Sequence, residues 1–72
     1  MKVYRNVNGD SNVESYDIGD DFIVVRFRGS NRDYKYSYQK AGQHHVEQMK
    51  RLAQRGAGLN SYINRYVRKC YD

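Results

Sequence analysis

The stretch FIVVRFRGSNRDYKYSY, residues 22–38, decides the fold. It opens on a run of β-branched and aromatic residues, pauses at Gly29-Ser30-Asn31, and resumes with tyrosine at every second position. A period of two marks a strand, because successive side chains point to opposite faces. Two such runs flanking a glycine turn read as an antiparallel hairpin. In the first run Ile23, Val25 and Phe27 share a uniformly apolar face, and Phe22, Val24, Arg26 and Arg28 share the other. In the second run Tyr34, Tyr36 and Tyr38 alternate with Asp33, Lys35 and Ser37. A strand does not readily bury a lysine. The tyrosine side is therefore expected to face the same core as Ile23, Val25 and Phe27.

On the N-terminal side, Gly19-Asp20-Asp21 separates this hairpin from an earlier strand-forming run, Val13–Ile18. Asn8-Gly9-Asp10 closes a short N-terminal segment. On the C-terminal side, Gln43–Arg55 reads as a helix, with Val46, Met49 and Ala53 on one face and His45 and Leu52 beside them. Gly56-Ala57-Gly58 ends it, since glycine accepts the left-handed backbone of a helix C-terminus. Asn60 suits the N-cap of a second helix, in which Ile63, Tyr66, Val67 and Cys70 form the apolar stripe. Arg65, Arg68 and Lys69 lie on its other side, and a basic last turn complements the helix dipole. The expectation is one α+β domain over residues 1–72. A three-stranded antiparallel sheet (12–18, 22–28, 33–38) is followed by two helices (43–55, 60–71) packed on one face.

This order of residues resembles the KTSC domain family, named for the lysyl-tRNA synthetase C-terminal region. The resemblance is carried by Ser11-Asn12-Val13, Tyr16-Asp17, Phe27 with Arg28-Gly29 after it, and Tyr34-x-Tyr36. The glycine after the first helix and Leu59-Asn60-x-x-Ile63 complete it, over residues 11–67. It implies the same strand-strand-strand-helix-helix fold and a link to RNA binding, with no established chemistry.

A chain of 72 residues builds only a small core. A ligand is expected on its surface or between copies. The single cysteine, Cys70, cannot form an intrachain disulfide, which suits a reducing, cytoplasmic setting. No apolar run approaches the roughly 20 residues that span a bilayer. The net charge is +5, and residues 43–72 hold six Lys/Arg against two acids. That excess favours an anionic partner.

The tyrosines carry two readings. They fill the core with their hydroxyls at its rim, or they offer rings on which a base stacks, as sheet aromatics do in single-strand RNA modules. Arg26 and Arg28 project from the face opposite the core, where two guanidiniums on one strand would suit phosphate, and Lys35 is a candidate neighbour. Arg65, Arg68 and Lys69 form a second basic cluster, and Arg32 in the turn is a third candidate. Asn60 and Ser61 open the second helix, where an anion could rest.

Adjacent His44 and His45 diverge by about 100° on a helix and do not chelate together, so no metal is expected. No serine or cysteine nucleophile has an evident base, and Asp10, Asp20 and Asp21 are ordinary turn formers, so no catalysis and no cofactor are expected. The expected function is a non-catalytic module that binds and sequesters a small phosphate-bearing nucleotide, such as a cyclic oligonucleotide. Its ligand-binding residues would be Tyr34, Tyr36, Tyr38, Arg26, Arg28, Asn60, Ser61 and Arg65. A homo-oligomer, dimer or tetramer, joined through Phe22 and Val24 would supply the concavity. The competing readings are a single-stranded or structured RNA-binding domain and a small protein-interaction or inhibitory module.

Overall fold

In the computed structural model the described residues are 1–9 and 11–72, so the turn role expected of Asp10 lies outside them. Four strands, β1 (Lys2–Val3), β2 (Val13–Ile18), β3 (Phe22–Phe27) and β4 (Asp33–Ser37), form an antiparallel meander in chain order. The sequence predicted three. The fourth is the two-residue β1, which pairs Lys2 with Tyr16 and Val3 with Ser15. So short an element has no periodicity to reveal it. It is anchored by the neighbouring Tyr4, which is 3% exposed and whose hydroxyl accepts the Leu59 amide.

Both expected hairpins form, and β3 meets β4 in the register Ile23–Tyr36 and Val25–Tyr34. Ile23, Val25 and Tyr36 are sealed in the core. Phe27 and Tyr34 pack against that core while remaining partly open. β2 carries a bulge: Val13 opposes Phe27, yet Ser15 already opposes Arg26. The extra residue, Glu14, lets Val13 and Tyr16 both point into the core although they are three positions apart, which no regular strand allows.

After β4 the chain turns through one helical turn, α1 (Tyr38–Ala41), where the sequence had extended the strand to Tyr38. Ser37 caps it, accepting the Lys40 amide. α2 (Gln43–Arg55) runs as expected, burying Val46, Met49 and Ala53 against the sheet. Gly56 ends it at φ 80°, donating to the Leu52 carbonyl. The Arg5 guanidinium also donates to the carbonyls of Gln54 and Arg55, satisfying groups that a helix end leaves open.

The second helix departs from expectation in three ways. Its N-cap is Gly58, at φ 83°, and Asn60 lies inside the first turn of α3 (Leu59–Tyr62). It continues into a π-helical turn, Ile63–Val67. It stops there, short of residue 71, and Arg68–Lys69 form a turn. The π-turn also corrects the apolar stripe. Each residue of a wider turn advances by less than the α-helical 100°. Position i+4, Val67, is buried as Ile63 is, while position i+3, Tyr66, swings out and is 51% exposed.

The outer sheet face is less open than the sequence suggested. Phe22 and Val24 are half-buried, and the Lys35 ammonium lies 4.8 Å from the Phe22 ring centre. Among the described residues no helix is long and apolar enough to cross a membrane.

Candidate functional site

A concavity of about 420 Å³ lies within one chain, between the β3–β4 hairpin and the second helix. Each wall arises from local structure. The hairpin contributes Phe27, Ser30, Tyr34 and the buried edge of Tyr36. The helix contributes Asn60, Ile63 and Asn64, one face of its first two turns. Beyond the π-turn the chain bends and adds Arg68, Lys69 and Tyr71, while Asn12 closes the groove from the β2 side.

The aromatic wall is a run of edge-to-face contacts. Tyr34 meets Phe27 at 5.5 Å and Tyr71 at 4.8 Å between ring centres, and Tyr71 also meets Tyr36 at 6.2 Å. Such pairs favour perpendicular rings because the positive edge of one faces the negative face of the other. Tyr71 is held by the chain end: the Asp72 amide donates to the Lys35 carbonyl at 2.7 Å, and Ser37 Oγ donates to the Asp72 carboxylate at 2.8 Å. The Arg32 guanidinium rests over this wall, 5.1 Å from the Tyr34 ring centre and 5.4 Å from that of Tyr71.

Electrostatically the groove is one-sided. Among the described residues its lining holds three asparagine amides and two cations, Arg68 and Lys69, and no carboxylate. Among the described residues neither cation has an acidic partner within ion-pair distance. Burial of Tyr36 between Tyr34, Tyr71 and Cys70 pushes its hydroxyl up to about 12, desolvation being the main cause, so it stays protonated at the groove floor.

Of the residues the sequence singled out, the structure brings together Tyr34, Tyr36 and Asn60. Arg68, Lys69 and Arg32, noted as basic candidates, join them. The others lie elsewhere. Arg26 is on the opposite face, forked onto Asp33 with Nε–Oδ1 at 2.7 Å and Nη2–Oδ2 at 3.2 Å. Each partner favours the other's charge, holding Asp33 below and Arg26 above its ordinary pKa, chiefly through this hydrogen bond. Arg28 is exposed in the hairpin turn. Tyr38 donates to the Glu47 carboxylate, beneath the Lys50 ammonium. Lys50 in turn bonds Glu47 at 2.8 Å and the Asp20 carbonyl at 2.9 Å, so Tyr38 ties α1, α2 and the β2–β3 turn together. Arg65 lies over Tyr66. Ser61 lines a separate depression with Asn8, Ser11 and Gly58, which shares Asn60 with the groove.

Sequence reasoning missed Asn12, Asn64 and Tyr71. Tyr71 lies past the helix end, where no periodicity remains to place it. Asn64 is visible only once the face Asn60, Ile63, Asn64 is read as a groove wall instead of a solvent face. His45, beside the apolar face of α2, is half-buried, with Nδ1 2.7 Å from the Tyr62 hydroxyl. The described residues contain no cluster of His, Cys, Asp or Glu able to hold a metal.

Comparison of the chain with models of protein families, with curated proteins and with solved structures finds no match, so the KTSC resemblance rests on the residues that carry it.

Proposed function

We propose that the chain is a non-catalytic binding module for a small phosphate-bearing nucleotide, held in the groove between the β3–β4 hairpin and the second helix. The observation that carries this is the lining: aromatic edges, asparagine amides and two cations without an acidic partner among the described residues. An amide supplies both a donor and an acceptor, the combination that a base edge demands. Arg68 and Lys69 supply charge for phosphate. The volume, about 420 Å³, falls in the range of small-molecule sites. All lining groups come from one copy, so the concavity does not require the dimer or tetramer expected from the sequence.

The test is calorimetric titration and thermal shift with a panel of nucleosides, nucleotides and a short single-stranded RNA. A nucleotide at one hundred times its Kd should stabilise the chain by about 2.7 kcal/mol. Arg68→Ala with Lys69→Ala should abolish that gain without lowering the melting temperature of the free protein, because both side chains are exposed. Arg26→Ala should leave binding intact, its guanidinium facing the other side of the sheet. If only RNA binds, with a steep loss on adding salt, the RNA-binding reading replaces this one.

A further inference from the structure

Arg32 is the one strongly placed cation at the groove that the lining itself does not include. Its backbone is fixed: the Arg32 amide donates to Ser30 Oγ at 3.1 Å, and Ser30 Oγ donates back to the Arg32 carbonyl at 3.3 Å. Its side chain is not. Among the described residues the guanidinium has no hydrogen-bond or carboxylate partner and is parked over the rings of Tyr34 and Tyr71. The nearest acid in sequence, Asp33, is turned to the opposite face and saturated by Arg26. Arg26, which the sequence offered as a phosphate ligand, is taken up by Asp33 on that outer face.

Resting on the nucleotide reading above, we infer that Arg32 is a phosphate clamp, and that the ligand carries two linked phosphates, as in a nucleoside 5′-diphosphate. Arg68 and Lys69 approach the groove from the helix end, and Arg32 approaches from the hairpin rim. Three such cations on two sides exceed what one phosphate needs. A guanidinium held by ring faces alone keeps all five N–H donors available, and its planar fork matches two phosphate oxygens. Leaving the rings for the phosphate costs two weak contacts and gains charge-assisted hydrogen bonds.

The experiment titrates the whole chain with the nucleoside, 5′-monophosphate and 5′-diphosphate of adenine and of uracil, and with inorganic pyrophosphate. The diphosphate should bind at least about tenfold tighter than the monophosphate, a difference near 1.4 kcal/mol. Arg32→Gln should erase that step while leaving the monophosphate affinity and the free protein's melting temperature unchanged. Arg32→Lys should restore part of it. Equal affinities for mono- and diphosphate would overturn the inference and leave the nucleotide reading standing. So would an Arg32→Gln variant that melts lower and weakens both ligands alike, since Arg32 would then serve only to pack Tyr71. Failure of every nucleotide to bind would overturn both.

Discussion

Tyr36 shows how one residue serves both core and groove. It is 1% exposed, yet an edge of it forms the groove floor. Truncation to alanine should cost about 3–5 kcal/mol, against a total stability on the order of 5 kcal/mol for a domain of this size. Urea denaturation of Tyr36→Ala should accordingly show little or no folded baseline. The same burial sets a pH dependence. Tyr36 has its hydroxyl pKa raised to about 12 in the native state, against about 10 in an unfolded chain. Below pH 10 both states keep the proton and the contribution is complete. Between pH 10 and about 12 the unfolded chain releases its proton first, so stability falls as pH rises. Tyr36→Phe should flatten that part of an alkaline melting profile. The inward face of this tyrosine was legible in the sequence, because Lys35 excludes the other face. The partner of Arg26 was not. The register sets Asp33 opposite Arg26 and Lys35 opposite Val24, and a hairpin must be paired residue by residue before that is visible.

At the scale of elements, glycine did most to make the chain readable. The turns after β2 and β3 and the end of α2 all fall where glycine predicts them. Gly56 is constrained twice: φ is 80°, and an added Cβ would stand 2.8 Å from Arg5 Cβ. Gly56→Ala should therefore destabilise by at least the roughly 1–2 kcal/mol of a left-handed alanine, with further loss from crowding Arg5 off the α2 carbonyls. Chemical denaturation measures this directly: a loss of only about 1–2 kcal/mol would show that the N-terminal segment gives way, and an unchanged midpoint would overturn the prediction. Elements that bend the regular periods were not legible. The Glu14 bulge puts Val13 and Tyr16 on one face, and the π-turn removes Tyr66 from the stripe it would occupy in an α-helix. Both reflect packing against the rest of the fold, which local propensity does not encode. The groove depends on the second of them, because Ile63 and Asn64 lie in the π-turn and the chain bends immediately after it.

For the molecule as a whole, the sequence supported the class, an antiparallel sheet with helices after it, and the idea that aromatic rings and cations converge. It placed the convergence between copies. The structure builds the groove from one copy because the segment after the second helix folds back along β4, bringing Tyr71 against Tyr34 and Tyr36. That return has a consequence for behaviour at high concentration. β4 is an outer strand, and the unpaired carbonyls of an outer strand invite a strand from another molecule to add on. Here the Asp72 amide already occupies the Lys35 carbonyl, and the Asp72 side chain holds Ser37. The tail is a stopper as well as a wall. A chain shortened by its last two residues should lose the groove's outer ring and uncover the β4 margin together, becoming turbid in light scattering at concentrations where the parent stays clear.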